Sequence, residues 1–332
     1  MKKNLFKEIS LMNIFLCFCV VMIHLTSSPL MSLRYASFAH IIIFIINKML
    51  CFCVPSFIFL SGFKLYSKYG ENKIELKKFY TQRFKKIVIP YIIIVLIYFI
   101  YFWSKKWVSI NDLPEYIFLG TLAAHFYYVV IAVQLYILFP FFKGIMSRYS
   151  KAVIAVSLIC TILFQEFFHF NYSDRFFGSY IFYFSLGMLF AKCSFREKLG
   201  KFHLITLMGF VIFAIIHLSL TYMAMSGKIV YRCANIINIV YVSFSILAIY
   251  GFCIKITEKY KAPYKISQVF SRISYNIYLY HTLAIFILQY DIFPRFNLSV
   301  SEKFAISFVI VYFLIFAYAL LKKIKNKGLD TA

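Results

Sequence analysis

Histidine changes its charge most readily near neutral pH, so histidines held among apolar residues are the first candidates for catalysis in this chain. All seven lie inside or beside long apolar stretches: His24, His40, His125, His169, His203, His217 and His281. A histidine beside a carboxylate such as Glu166, partly removed from water, can act as a general base. The alternative for each histidine is an interfacial group that only forms hydrogen bonds.

The elements that must hold these histidines are strongly apolar. Of the 332 residues, 62% are hydrophobic and 14% charged, and the mean hydropathy is +0.80. Soluble domains are roughly half apolar and about a quarter charged, so this composition predicts an integral membrane protein with the lipid bilayer as its solvent. A net charge of +24 is also compatible with nucleic-acid binding. Here the basic residues lie in short loops between apolar stretches, so we expect no nucleic-acid partner.

Ten apolar stretches approach the length of about 20 residues that a helix needs to cross the hydrocarbon core. The sequence therefore predicts an all-α bundle of about ten transmembrane helices, forming a single domain over residues 1–332. The predicted spans are 9–27, 38–66, 87–103, 121–142, 152–168, 176–191, 203–224, 234–253, 273–290 and 304–321. The second is too long for one straight crossing, and it either tilts or breaks near Val54 and Pro55, because proline removes a backbone donor.

Lysine and arginine alternate from one loop to the next. The termini and every second loop together hold 26 of them, and the other loops hold 8. Because cytoplasmic loops accumulate positive charge, the alternation predicts a multi-pass protein of the inner (cell) membrane with both termini cytoplasmic. In this orientation His24, His125 and Glu166 fall near the outer ends of their helices, and His281 falls within its span.

The eight cysteines lie mostly inside or beside apolar spans, and none of them combines with histidines in the spacing of a zinc site. Small apolar side chains that fill space are their expected role. We therefore expect no metal site.

One spacing in the first span has a specific meaning. Asn13 and His24 are eleven residues apart, so on a helix they lie on nearly the same face, about 16 Å apart along the axis. The stretch from Asn13 to His24 resembles the first helix of the membrane-bound acyltransferase family 3, the integral-membrane O-acyltransferases of surface glycans, which include intercellular-adhesin-type members. In that family an arginine is followed by ten residues and then a histidine.

Further segments resemble motifs of the same family and follow in the same order over the whole chain. They are Val54–Phe63 ending in Ser-Gly-Phe, Arg83–Lys86 followed by Pro90-Tyr91, His125–Tyr128 with Gln134-Leu135-Tyr136, Tyr183–Met188 with its Leu-Gly-Met, and Ile273–His281. Each is weak alone, but six segments in the right order are a strong resemblance.

Two positions depart from the family pattern. Asn13 stands where the family has arginine, and Lys86 replaces the second arginine of an Arg-x-x-Arg motif. Neutral asparagine cannot form the bidentate fork of arginine, and lysine is only a point charge. Either Arg83, Lys85 and Lys86 compensate, or the chain is a diverged member with altered or lost activity.

The resemblance implies transfer of an acyl group, acetyl being the simplest, from cytoplasmic acyl-CoA to a hydroxyl of a surface glycan or lipid-linked glycan. His24 would deprotonate the acceptor hydroxyl, oriented by Glu166, and acyl-CoA would be a co-substrate rather than a bound cofactor. Basic residues would hold the CoA phosphates. The predicted substrate- and donor-binding residues are Asn13, Arg83, Lys85, Lys86, His125, Tyr128 and His281.

Two other functions remain open on the sequence. The chain could be a transporter or exporter of a glycan or its precursor with no chemistry of its own, which the neutral Asn13 favours slightly. It could also be a structural subunit of a polysaccharide-synthesis complex, but this leaves the placement of His24 and His281 unexplained.

Overall fold

The computed structural model describes residues 2–193, 195–228, 234–260 and 262–329, and the regular structure within these ranges is helical, with no strand. The helices are α1 (Lys2–Ser32), α2 (Phe38–Met49), α3 (Cys53–Tyr69), α4 (Leu76–Arg83), α5 (Ile89–Ser104), α6 (Leu113–Leu119), α7 (Tyr127–Glu166), α8 (Ile181–Cys193), α9 (Arg196–Met225), α10 (Ala234–Lys259), α11 (Ala262–Ile287) and α12 (Val300–Leu329).

The protein is a multi-pass membrane protein, as the composition predicts. Within the described ranges, seven helices are long and apolar enough to cross a bilayer. They are Lys7–Ser32, Phe38–Tyr69, Leu76–Ser104, Tyr127–Glu166, Leu199–Met225, Asn235–Lys259 and Val300–Lys322. The shorter α8 is also apolar.

The long second stretch changes its helical geometry close to Val54 and Pro55, where a break is one of the two expected possibilities. A short 3-10 turn, Leu50–Phe52, separates α2 from α3. Pro55 then lies in the first turn of α3, where a missing backbone N–H costs little. A proline deeper in the helix would remove an internal hydrogen bond.

The 40-residue α7 is two helices joined at a sharp reversal. Tyr149 has φ −126° and ψ 46°, outside the helical region. Gln134 hydrogen-bonds the backbone of Arg175 and Phe177, and Thr161 donates to the carbonyl of Gly178. In a straight helix Gln134 and Thr161 would be about 40 Å apart, whereas three residues of chain span at most about 10 Å. The two halves therefore lie side by side, as the predicted spans 121–142 and 152–168 require.

The chain divides into two units, Met1–Cys53 with Gly200–Val230 and Phe244–Ala332, and Val54–Leu199 with Tyr231–Ser243. The predicted single domain over residues 1–332 stays a prediction.

In the first unit α1 and α11 run in the same direction. The Nδ2 of Asn13 donates to the Oγ of Ser274 at 2.7 Å, and further along both helices the rings of His24 and His281 are 5.1 Å apart. The helix α12 runs the opposite way along α1. The Tyr312 hydroxyl donates to the Phe18 carbonyl at 2.9 Å.

The helix α2 also runs antiparallel to α1 in this unit. The amide of Asn47 donates to the Ile23 carbonyl at 3.0 Å and to the Thr26 hydroxyl at 2.9 Å. Nearer the other end of the pair, Leu30 packs in one buried cluster with Phe44. These interhelical bonds replace water for polar groups at membrane depth.

In the second unit α3 and α8 approach until their backbones touch. A Cβ added at Gly62 would overlap the carbonyl of Phe184, and one at Gly187 would overlap the carbonyl of Phe59. Small residues permit this close packing between membrane helices. Two of the family-like motifs, Ser-Gly-Phe and Leu-Gly-Met, therefore have a packing role.

The predicted span 87–103 is the end of a longer helical segment that begins at Leu76. Between α4 and α5 the residues Phe84–Val88 form one π-helical turn. The turn ends two residues before Pro90, which has no N–H for the ladder. Such π-turns occur frequently at functional sites.

Candidate active site

His24 and His281 form a close pair in the first unit, which we call the histidine pair. Their ring centroids lie 5.1 Å apart and the ring planes are inclined by 55°. The parallel packing of α1 and α11 brings the two rings together from positions 257 residues apart in the chain. His281 is only 4% exposed, and His24 is half-buried.

Hydrogen bonds fix the tautomer of His281. Its Nδ1 donates to the carbonyls of Ile277 and Tyr278 at 3.0 and 2.8 Å. Because carbonyl oxygens only accept, the neutral ring carries its proton on Nδ1 and a lone pair on Nε2. Thr282 Oγ1 lies 3.2 Å from that Nε2. His281 is therefore held in one orientation beside His24.

Asn13 lies on the same two helices as the histidine pair, and its side chain is 5% exposed. Its Nδ2 donates to Ser274 Oγ, which in turn donates to the carbonyl of Ser271 at 3.0 Å. Asn13 thus ties α1 to α11. Whether it also contacts substrate stays a prediction.

Arg83, Lys85 and Lys86 form the basic turn, at the junction of α4 and α5 in the second unit. The guanidinium of Arg83 lies over the rings of Phe79 and Tyr136, 5.3 and 5.5 Å from their centroids. Its Nε is buried and makes no hydrogen bond within the described part of the chain. Lys85 and Lys86 are exposed on the π-helical turn, so they can reach a ligand in water.

A broad depression of about 540 Å³ adjoins this turn. Three lysines, Lys77, Lys78 and Lys85, line it together with the polar side chains of Thr81 and Gln82. Lys78 lies 3.6 Å from Glu75, but both side chains are well exposed, so this ion pair contributes little. The depression has the charge expected of a surface that binds phosphates.

Tyr128 and His125 lie elsewhere in the second unit. The ring of Tyr128 is 5.8 Å from that of Phe57, and its hydroxyl hydrogen-bonds Ser61. The Ser61 Oγ lies 3.3 Å from the hydroxyl of Tyr136, the residue beneath Arg83. A chain of polar groups therefore joins Tyr128 to the basic turn.

His125 is 2% exposed and lies in an aromatic setting. Its ring centroid is 4.3 Å from that of Phe126 and 5.8 Å from that of Tyr98. Its predicted part in substrate binding stays a prediction.

Glu166 caps a helix in the second unit. Its Oε1 accepts hydrogen bonds from the backbone N–H groups of Asn235 and Ile236 at 2.9 and 3.0 Å, in the first turn of α10. A carboxylate is stabilised there by the helix dipole. Its proposed part in orienting His24 stays a prediction.

The structure brings together some of the predicted site residues within each unit: His24 with His281, and Arg83 with Tyr128 through Tyr136 and Ser61. It also adds Ser274 and Thr282. Ser274 lies seven residues, two helical turns, before His281, so helical periodicity could have identified it. Thr282 could not be identified in this way, because its contact with His281 depends on the orientation of the imidazole ring, which the sequence does not specify.

Three of the remaining histidines form separate contacts. The Nε2 of His217 lies 3.7 Å from the sulfur of Cys51, and the ring of His40 lies 5.1 Å from that of Tyr35. The Nε2 of His169 donates to the carbonyl of Glu166 at 3.1 Å. Among the residues that the structure describes, no three His, Cys, Asp or Glu side chains could hold a metal ion.

The sequence pattern of an acyltransferase domain matches residues 6–322. This range covers nearly the whole chain, so the chain belongs to the membrane-bound acyltransferase family 3. Neither the curated proteins nor the solved structures contain a match. The family supports an acyltransferase activity in general, and the predicted resemblance is confirmed.

Proposed function

We propose that the protein transfers an acyl group, acetyl in the simplest case, from cytoplasmic acyl-CoA to a hydroxyl of a cell-surface or lipid-linked glycan. The observation that carries this proposal is the histidine pair, two imidazoles held 5.1 Å apart in a chain of an acyltransferase family. The corresponding physiological process is the O-acylation of surface glycans by a protein of the inner (cell) membrane.

In this reaction His24 removes the proton of the acceptor hydroxyl, and the oxygen attacks the thioester carbonyl of acyl-CoA. The carbon–sulfur bond breaks, the acyl group remains on the oxygen as an ester, and the CoA sulfur leaves and takes up the proton. His281 supports His24, because its own proton is committed to two backbone carbonyls and its Nε2 can only accept. A positioned base of this kind contributes about 10²–10⁴ in rate.

The donor-binding part of the proposal rests on the basic turn. Lys85 and Lys86 would contact the CoA phosphates, and the lysine-lined depression next to them supplies further positive charge. Arg83 is stacked on Phe79 and Tyr136, so it would act from a fixed position. His125 and Tyr128 are the proposed substrate-binding residues of this unit.

The proposed topology has ten crossings and two cytoplasmic termini. Three features support it: the 26-to-8 division of basic residues, the reversal of α7 at Tyr149, and the antiparallel packing of α12 on α1, which directs the two termini to the same side. The apolar helices α8 and α11 would complete the ten crossings.

Cysteine labelling tests this topology, in a background whose native cysteines have been replaced. Cysteines placed at Lys105 and Arg295 should react with an impermeant thiol reagent added outside. Those placed at Glu75 and Glu258 should react only after the membrane is opened. The reverse pattern would invert the proposed orientation.

The activity is tested with the purified protein in lipid nanodiscs, given acetyl-CoA and a panel of glycan acceptors. Acceptor-dependent release of CoA, with an ester on the glycan, is the expected result. Transport of a glycan into vesicles without CoA release would instead favour an exporter. This alternative is suggested by Asn13, a neutral residue where the family has arginine.

A further inference from the structure

A crevice of about 240 Å³ opens in the first unit one helical turn beyond the histidine pair. It lies between the last turns of α1 and α11 and the first turns of α12. Leu25, which follows His24 directly, lines it on one side, and Ile285, one turn after His281, lines it on the other. A ligand in this crevice would therefore extend towards both imidazoles.

Several polar side chains of the crevice have no partner in the described part of the chain. Ser307 is only 5% exposed and lines the crevice, yet its hydroxyl makes no hydrogen bond there. Gln289 and Lys303 also line it, and neither side chain has a hydrogen bond or an ion pair among the described residues. Gln289 and Lys303 are half-buried and Ser307 is buried, so the crevice offers a hydroxyl, an amide and an ammonium group that a polar ligand could contact.

The backbone of the crevice is also unusual on two sides. Pro29 lies inside α1 and lines the crevice, and it has no N–H to donate to the carbonyl of Leu25. Gln289 and Tyr290 belong to a π-helical turn, Leu288–Ile292, that extends α11. Irregular backbone at membrane depth is tolerated where it lines a cavity rather than lipid, and π-turns are frequent at functional sites.

We propose that this crevice binds one sugar unit of an anionic acceptor glycan, with Lys303 contacting the negative group and Ser307 and Gln289 contacting hydroxyls. Its volume is below the roughly 300–1,000 Å³ of sites for drug-sized ligands, which suits a single ring. Tyr290 and Phe304 supply aromatic faces for the apolar side of the sugar. The inference rests on the proposed function and specifies its acceptor.

The test uses the full chain in nanodiscs and three oligosaccharides of equal length: one neutral, one containing uronic acids and one joined by phosphodiesters. Binding is measured without acyl-CoA, and CoA release is measured with acetyl-CoA. We expect Lys303→Gln to raise Kd and KM for the anionic acceptors about ten-fold, the loss of one charge-assisted contact. The KM for acetyl-CoA and the binding of the neutral sugar should not change.

Matched variants separate the crevice from general charge and folding effects. Arg295→Gln removes an exposed positive charge from the connection between α11 and α12 that does not line the crevice, and it should behave like the unmodified protein. Lys303→Arg should restore binding. Ser307→Leu should fill the crevice and block all acceptors, whereas Ser307→Ala should weaken binding only a few-fold.

The outcomes distinguish this inference from the proposed function. If anionic sugars bind in a Lys303-dependent way but no acceptor releases CoA, the crevice stands and the acyl transfer fails. If CoA is released without any effect of Lys303→Gln, or only with the neutral sugar, the acyl transfer stands and the inference is wrong. Absence of binding to both anionic oligosaccharides would also overturn it. The uronic-acid and phosphodiester arms show which anion is recognised.

Discussion

The histidine pair and the basic turn bring functional groups to a membrane protein in opposite ways. In the pair, His281 is 4% exposed and hydrogen-bonded to two backbone carbonyls, so its orientation is fixed before any substrate arrives. In the basic turn, Lys85 and Lys86 are exposed and can adapt to a ligand. Preorganised, dry groups suit a chemical step, whereas flexible exposed charges suit the capture of a charged substrate. The difference predicts that variants of the pair change kcat and variants of the turn change KM.

The largest effect is expected for His24→Gln, which keeps a polar side chain of similar reach and removes the base. We expect kcat to fall about 10²–10⁴-fold, with little change in KM for acyl-CoA, measured as CoA release. The matched control is His40→Gln, a buried histidine of the same unit whose ring contacts Tyr35. Full turnover by His24→Gln would remove the histidine pair from the chemistry and leave transport as the better proposal.

Part of this arrangement follows from the sequence, because it depends on local or periodic rules. Apolar stretches predict the membrane class, and the spacing of Asn13 and His24 predicts that both face one side of α1. Contact between His24 and His281 depends on the parallel packing of α1 and α11, which no local pattern specifies. The cap that Glu166 provides for α10 is a long-range contact of the same kind.

The helix boundaries also divide into those that local sequence rules predict and those that depend on tertiary contacts. The sequence leaves open whether the second span tilts or breaks near Pro55, and the change of helical geometry lies at Leu50–Phe52. The sequence does not predict that the helix of the third span begins at Leu76. The lysine-rich part of this helix extends beyond the hydrocarbon core, and its sequence pattern is that of a loop. The split of α7 follows from the basic residues around Arg148, but the reversal at Tyr149 is visible only in tertiary contacts such as those of Gln134 and Thr161.

A smaller effect, on KM rather than kcat, is expected for variants of the basic turn. Lys85→Gln and Lys86→Gln should each raise the KM for acyl-CoA about ten-fold, since a charge-assisted hydrogen bond contributes roughly 1.5–3 kcal/mol. The KM for the acceptor and kcat should change little. The control is Lys105→Gln, a basic residue directly after the other end of α5.

Acyl-CoA without its 3′-phosphate shows which phosphate the turn contacts. If one of the two lysines binds that phosphate, its substitution should have no further effect on the KM of the shortened donor. Unchanged KM in both variants, together with altered labelling of the loops, would mean that these lysines only direct membrane insertion.

The smallest effect is expected for the bond between Asn13 and Ser274, and it decides what Asn13 does. Hydrogen bonds between membrane helices contribute about 0.6 kcal/mol on average, so a double-mutant cycle of Asn13→Ala and Ser274→Ala should give a coupling of that size in the free energy of unfolding. If Asn13 only joins α1 to α11, both single variants should lower kcat to the same few-fold extent, by loosening the helix that holds His281, and the KM for acyl-CoA should stay constant. If Asn13 also contacts the donor, Asn13→Ala should raise that KM and Ser274→Ala should not. If both substitutions changed the KM for acyl-CoA equally, a direct contact between Asn13 and the donor would be excluded. Ser274→Ala would then cause the same change while Asn13 is still present.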